Sequence, residues 1–79
     1  PTSKDPTLPF PELSEREREI LDGVAAGLTN AEIGARLFLS PKTVANNVTA
    51  VLSKLHLSNR IEAILKGREA GLGIDPRQP

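Results

Sequence analysis

A polar face on one predicted helix carries the residues whose chemistry is most specific. Ser40 and Pro41 indicate where this helix begins, because serine caps a helix and proline fits its first position. An apolar stripe then recurs at helical spacing, through Val44, Val48, Val51, Leu52 and Leu55. The opposite face carries Lys42, Asn46, Thr49, Ala50 and Ser53, with Ala45 and Asn47 on its two sides.

Such short side chains can approach the edges of base pairs closely. An asparagine can make two hydrogen bonds to adenine, and a threonine or alanine methyl can touch the thymine methyl. Lys42, near the helix start, suits a phosphate, and Thr29 and Asn30 at the start of the preceding helix can donate in the same way. The same residue types are common on solvated helices, so the pattern favours nucleic-acid contact without excluding an ordinary surface.

Composition excludes most catalytic and metal sites. The 79 residues include no cysteine and one histidine, His56, which leaves no disulfide, thiolate site or multi-histidine metal site. Glu15, Glu17 and Glu19 alternate with arginines, which indicates solvated helix charges and caps rather than catalytic carboxylates. No nucleophile and base can be paired either. We therefore predict no enzyme activity, no metal and no cofactor, with a structural role for His56.

The net charge of zero hides a division along the chain. Residues 1–32 carry seven acidic and three basic side chains, whereas residues 33–68 carry six basic and one acidic. This asymmetry predicts either a basic face for a polyanion or two solvated faces with different ionic partners. The same alternatives apply to Lys54 and Arg60, which can contact phosphate or pair with a glutamate of the first helix.

Three further helices complete an all-α pattern without strand-like alternation. Capping boxes at Ser14 and Thr29 predict the starts of the first two helices, Gly27 the end of the first, and Ser58 the start of the fourth. The residues expected to face inward are Ile20, Leu21, Val24, Leu28, Ile33, Leu37, Ile61, Ile64 and Leu65, with Phe38 and Leu39 in a buried turn. The second and third helices have the lengths of a helix-turn-helix, whose second member lies in the major groove of DNA.

The two ends of the chain differ from its middle in composition. Residues 1–12 are rich in proline and predict a linker or an extended tail, and residues 73–79 predict a second tail. The first residues do not resemble a signal peptide, and no apolar run approaches the roughly 18 residues that a membrane helix needs. A cytoplasmic location is the expectation that follows.

Several motifs together resemble the LuxR/FixJ-type (GerE-like) helix-turn-helix domain, the C-terminal output domain of many bacterial response regulators. They are LSEREREIL at 13–21, GLTNAEI at 27–33, RLFLSPKTV at 36–44, VLSKL at 51–55 and NR at 59–60. The resemblance implies a four-helix domain over residues 13–72, with the helix-turn-helix at 29–48, that binds double-stranded DNA as a transcriptional regulator of a two-component system. It also implies a bacterial cytoplasmic protein associated with the nucleoid.

The resemblance further implies partners and contact residues. The third helix would contact bases, the fourth would form a homodimer on paired half-sites, and a receiver or sensor domain would precede this chain in the full-length protein. RNA polymerase is a further candidate partner. The DNA-binding residues inferred from the outward face and the resemblance are Thr29, Asn30, Lys42, Thr43, Ala45, Asn46, Asn47, Thr49, Ser53 and Lys54.

Four positions depart from the pattern of the family. Ala45 stands where lysine or arginine is usual, Asn47 where histidine is usual, Thr49 where some members carry lysine, and Gly34 where alanine is usual. Fewer cations predict weak binding by the isolated domain with a shallow salt dependence. The alternatives are a protein-interaction module of the same fold that has lost strong DNA binding, and a sigma-factor-like promoter-recognition domain.

Overall fold

Four α helices make up the part of the chain that the computed structural model describes, residues 9–73. They are α1 (Glu15–Ala25), α2 (Asn30–Leu37), α3 (Pro41–Lys54) and α4 (Arg60–Glu69). No strand occurs in residues 9–73, and the expected all-α four-helix fold is confirmed. The predicted linker lies outside the described residues as far as position 8, and the predicted tail lies outside them from position 74.

Each of the four helices begins after a residue whose side chain accepts a backbone amide of the first turn. Ser14 and Thr29 form complete capping boxes with Glu17 and Glu32, and the Ser40 hydroxyl accepts the amide of Thr43, as the sequence predicts. The predicted cap of α4 is wrong by one residue. The side chain of Asn59 accepts the amide of Glu62, whereas Ser58 donates its own amide to the Glu62 carboxylate at 2.6 Å.

The core forms around α1, which packs against all three other helices. Its largest fully buried side chains are Leu13, Ile20, Leu21, Val24, Ile33, Val44 and Val51. Both flanks of the four-helix segment attach to α1 by hydrogen bonds. Arg18 donates to the carbonyl of Pro9 at 3.0 Å, and Asp22 accepts the amide of Gly73 at 2.8 Å.

The inward face of α4 differs from the prediction. Ile61 and Leu65 are 67% and 59% exposed, and the buried positions are instead Ala63 and Gly67. A Cβ added to Gly67 would lie 2.9 Å from the Cβ of Ala25, so α4 packs on α1 too closely for larger side chains. Because Ile61 and Leu65 lie on the opposite side of the helix, this close packing leaves them in solvent.

The turn between α2 and α3 also corrects one expectation. Phe38 is 94% exposed and adopts a left-handed backbone conformation with φ of 62°, while Leu39 is half-buried. Gly34 is buried directly under this turn, and a Cβ at that position would overlap the carbonyl oxygen of Leu39. The close approach of backbone to backbone explains why glycine occupies this position of α2 despite its low helix propensity.

Candidate nucleic-acid interface

The predicted contact face of α3 is open to solvent. Helical spacing places its residues side by side, on the side opposite the buried valines. Its four exposed members are Lys42, Asn46, Thr49 and Ser53, and Ala50 between them is half-buried. Ala45 and Asn47, on the two sides of this face, are half-buried as well. We call the set of Lys42, Asn46, Thr49, Ala50 and Ser53 the outer face of α3.

Two polar side chains near this face are engaged by the helix itself. The Asn47 amide nitrogen donates to the carbonyl of Thr43 at 2.8 Å, and the Thr49 hydroxyl donates to the carbonyl of Ala45 at 3.1 Å. Asn46 makes no side-chain hydrogen bond within residues 9–73. Its carboxamide therefore presents both a free donor and a free acceptor.

The first turn of α3 brings the predicted cap Ser40 close to Lys42 and Thr43, which are predicted DNA contacts. The Ser40 hydroxyl accepts the amide of Thr43 at 3.1 Å and donates to the Thr43 hydroxyl at 3.0 Å, so one amide of the turn is already satisfied. Proline at position 41 has no amide hydrogen. Lys42 is exposed beside them, at the positive end of the helix dipole. This end of α3 offers an anion one lysine and few free backbone donors.

The start of α2 is held by a residue whose role the sequence left undecided. Arg60, the first residue of α4, donates to the Asn30 side-chain oxygen at 2.6 Å and to the Leu28 carbonyl at 2.7 Å. It therefore pairs with no glutamate of α1. Since the oxygen of Asn30 faces Arg60, its NH₂ group is the end left for an outside partner. Thr29 is exposed but its hydroxyl accepts the amide of Glu32.

Lys54, at the last turn of α3, forms the salt bridge that the sequence offered as one of two alternatives. Its Nζ lies 2.8 Å from Oε1 of Glu17, and the two side chains are 45% and 11% exposed. Glu17 is buried rather than solvated, although its predicted capping role is confirmed, whereas Glu15 and Glu19 are exposed as predicted. The same Oε1 also accepts the amide of Ser14 at 2.8 Å, so one buried carboxylate serves both a cap and an ion pair.

The environment of Glu17 shifts its acidity. Burial by itself would raise the pKa of Glu17, because it disfavours the charged carboxylate. The hydrogen bond and charge of Lys54, with the hydrogen bonds of Ser14, outweigh burial and lower the pKa below its ordinary value. The carboxylate is therefore ionised at neutral pH and bound to two partners.

Comparison with known proteins assigns this arrangement to a family. Residues 11–66 match the model of the bacterial regulatory proteins of the luxR family. The chain belongs to that family. The resemblance inferred from the sequence is thereby confirmed, and the family is one of bacterial regulatory proteins.

Individual relatives support the same assignment. The luxR-family chain is 48% identical over 61 residues to the transcriptional regulatory protein LiaR of Bacillus subtilis, and 42% identical over 59 residues to DesR of the same organism. It is 39% identical over 61 residues to the DNA-binding transcriptional activator DevR/DosR of Mycobacterium tuberculosis. These alignments cover 77%, 75% and 77% of this chain but only 29%, 30% and 28% of the relatives.

Three further findings concern the described part of this luxR-family chain. No helix within residues 9–73 is long and apolar enough to span a bilayer. Over the same residues, no three histidine, aspartate or glutamate side chains form a group that could hold a metal ion. His56, which follows α3, is exposed and has a positive φ of 58°.

We expect the stabilising effect of the Glu17 carboxylate to be lost in acid. Because its folded pKa is lower than its unfolded pKa, the stabilisation is complete above about pH 4.5 and disappears as the pH falls through the folded value. Urea unfolding at a series of pH values from about 7 down to about 2 would measure this. Glu17→Gln should flatten that part of the profile, whereas Glu19→Gln, at an exposed position of the same helix, should not. Parallel profiles for wild type and Glu17→Gln would contradict the prediction.

Proposed function

We propose that this chain is the DNA-binding output domain of a bacterial transcriptional regulator, and that α3 enters the major groove of double-stranded DNA. The observation that carries the proposal is the exposed outer face of α3, which has short side chains and no bulky residue to keep a duplex away. The polar face is supported from behind by the fully buried Val44 and Val51. A rigid helix of this kind can keep its side chains in register with base pairs.

The residues divide into base contacts and backbone contacts. Asn46 and Thr49 contact bases, with Ala45, Asn47 and Ser53 beside them. Lys42 and Thr43 contact the phosphates that flank the groove, and Thr29 with the free NH₂ end of Asn30 contacts a phosphate from the start of α2. Lys54 is 45% exposed and its ammonium group has three donors, so it can keep Glu17 and still donate to a phosphate.

Dimerisation through α4 would compensate for the small number of cations. Ile61 and Leu65 form an exposed apolar pair on its outer side, where a second copy can cover them. Two weakly bound domains joined in one dimer gain affinity because the second binds at a high effective concentration. Paired half-sites about one helical turn of DNA apart, or multiples of it, would match such a dimer.

The relatives are more than three times as long as the matched region, so the content of the rest of the full-length protein is a separate proposal. We propose that a receiver or sensor domain precedes the linker in the full-length protein and controls pairing, with RNA polymerase as a further partner of the assembled regulator. The protein would act without catalysis, in the bacterial cytoplasm on the nucleoid. Residues 1–12 and 73–79 would be the linker and tail that flank the domain of residues 13–72.

One observation favours a second candidate, a protein-interaction module that has lost strong DNA binding. Ala45 places no cation beside the outer face, and Lys42 is the one charged residue on that face. Backbone amide shifts distinguish the two functions. Random-sequence duplex DNA at low salt should perturb the amides of residues 42–53 if α3 is the recognition helix, and should leave them unchanged if it is not.

Two substitutions test the division of roles on α3. Asn46→Ala should change the base preference at one position of each half-site, because it removes a base contact. Lys42→Ala should weaken all sites evenly and reduce the salt slope by about one phosphate, because it removes a backbone contact. Selection of bound oligonucleotides from a random pool, scored for half-site repeats and spacing, measures both. If neither variant changed the selected sequences or their affinities, α3 would not be the recognition helix.

A further inference from the structure

The outer face of α3 presents an unusually small set of chemical groups to a base pair. From Thr43 to Ser53 the helix carries no charged side chain. The commonest contact to guanine uses the paired donors of arginine or lysine on its O6 and N7 atoms, and contact to cytosine uses an acidic acceptor on N4. Neither kind of group is available over the three turns that would lie deepest in the groove.

Hydrogen bonds within α3 further reduce the number of groups that the helix can offer to a base pair. The amide nitrogen of Asn47 and the hydroxyl of Thr49 both donate to backbone carbonyls of the preceding turn. Thr49 is exposed while its hydroxyl is held against the helix, which leaves its methyl group for contact with an outside partner. The methyl groups of Ala45 and Ala50 lie nearby at partly open positions.

Asn46 carries the one carboxamide of these turns whose NH₂ group and oxygen both lack a partner within residues 9–73, because Asn47 uses its NH₂ group within the helix. Ser53 is also exposed but offers only a single hydroxyl. Adenine offers an acceptor at N7 beside a donor at N6, which matches a carboxamide in both positions. Guanine offers two acceptors at the corresponding atoms, so only the NH₂ end of Asn46 could bond to it and the carboxamide oxygen would face another oxygen.

We infer that the outer face of α3 selects A·T base pairs, with Asn46 on an adenine and the Thr49 methyl against the methyl of a neighbouring thymine. This inference rests on the proposed function and specifies the DNA that it binds. Thr49 follows Asn46 by three residues, so the two side chains are neighbours on the helix surface and can contact adjacent base pairs. Lys42 lies in the first turn of α3, where it contacts the phosphate backbone of the DNA.

Base analogues test the inference atom by atom on a duplex chosen by selection with the 79-residue chain. Replacing thymine by uracil removes only the methyl group, and we expect about fourfold weaker binding at the thymine that Thr49 contacts. Replacing adenine by 7-deazaadenine removes only the N7 acceptor, and we expect about tenfold weaker binding at the adenine under Asn46. Fluorescence anisotropy at one fixed salt concentration measures both ratios.

Matched variants assign each ratio to its side chain. Asn46→Ala should abolish the 7-deazaadenine effect. Thr49→Ser removes the methyl group and should abolish the uracil effect, whereas Thr49→Val keeps a methyl group in place of the hydroxyl and should preserve it. Thermal unfolding of each variant verifies that it is folded before the ratios are compared.

The outcomes separate this inference from the function on which it rests. An A·T half-site whose analogue effects vanish in the named variants supports it. A selected half-site centred on G·C overturns it while leaving DNA binding intact, and a guanine preference that disappears in Lys42→Ala would assign base recognition to Lys42 instead. If no duplex is enriched at low salt although the chain is folded, the proposed function itself fails and the inference fails with it.

Discussion

Replacing Gly34 with valine should cost the domain about 3 kcal/mol of unfolding free energy. A Cβ at this position overlaps the carbonyl oxygen of Leu39, and that oxygen belongs to the backbone of the turn, so it cannot rotate away as a side chain would. The amide of Leu39 also donates to the Gly34 carbonyl at 2.9 Å, which ties the two residues together on both sides. Urea unfolding followed by circular dichroism measures the loss.

Ala35→Val and Gly34→Ala are the controls for Gly34→Val. Ala35→Val, at the next and exposed residue of α2, introduces the same side chain and should cost only the helix propensity, about 0.5 kcal/mol. Gly34→Ala should fall between wild type and Gly34→Val, because alanine gains up to about 1 kcal/mol of helix propensity while its methyl still meets the turn. Equal losses for Gly34→Val and Ala35→Val would show that the turn can move aside without cost.

Gly34→Val should also impair DNA binding, because Gly34 sets the distance between α2 and α3. Small domains are stable by only about 5 kcal/mol, so a loss of 3 kcal/mol leaves a substantial unfolded fraction at raised temperature. DNA binding must therefore be compared with wild type in cool buffer where both chains are folded. A weaker affinity there would come from displacement of α3 relative to α2 rather than from unfolding.

Local rules made the first three helices predictable. Ser14, Thr29 and Ser40 cap helices through contacts only three residues long, so their role is decided by neighbours in the sequence. The stripe of valines in α3 was equally clear, because apolar residues at helical spacing face a core in almost any fold. The outer face of α3 followed from the stripe, since the two lie on opposite sides of one helix.

The face of α4 was not predictable in the same way. Hydropathy favours Ile61 and Leu65 as inward residues, but the helix approaches α1 through Ala63 and Gly67. The choice depends on how closely two helices pack, and small residues that allow a close approach carry little hydropathy signal. Phe38 misled for a related reason, because its aromatic side chain predicted burial while the left-handed turn directs it outward.

Long-range polar contacts were the other part that sequence could not decide. Lys54 and Glu17 are 37 residues apart and Arg60 and Leu28 are 32 apart, so each pairing exists only once the helices are assembled. For Lys54 the sequence offered the correct partner as one of two alternatives. For Arg60 the salt bridge was wrong, because its partners within residues 9–73 are a carbonyl and a carboxamide, which carry no charge pattern to detect. The phosphate contact of Arg60 stays a prediction.

Arg60 links the two surfaces on which the proposed function depends. It lies at the start of α4, one residue before the exposed Ile61, and its guanidinium group bridges Asn30 and the carbonyl that precedes α2. A dimer that fixes α4 therefore also fixes the start of α2, where a phosphate would bind. The fork of a guanidinium group is needed for this, because it reaches two acceptors in one plane.

We expect Arg60→Ala to lower the unfolding free energy by about 2 kcal/mol, because two partly buried acceptors lose a charged donor. DNA affinity should also fall by about tenfold, which corresponds to about 1.4 kcal/mol, since the orientation of the Asn30 carboxamide is lost. Urea unfolding and fluorescence anisotropy give the two values. Lys66→Ala, which removes the same charge from an exposed position of α4, is the control for charge alone and should leave stability unchanged.

Arg60→Lys separates the bridging role from a direct phosphate contact. Lysine keeps the charge but cannot reach both Leu28 and Asn30 in one plane, so it should lose most of the stability that alanine loses. A direct phosphate contact would instead be preserved by lysine, with wild-type stability and affinity. The double variant Arg60→Ala with Asn30→Ala should lose less unfolding free energy than the two single variants lose together, because both substitutions break the same bond. If the two single losses were simply additive, the hydrogen bond between Arg60 and Asn30 at 2.6 Å would contribute nothing to holding α2.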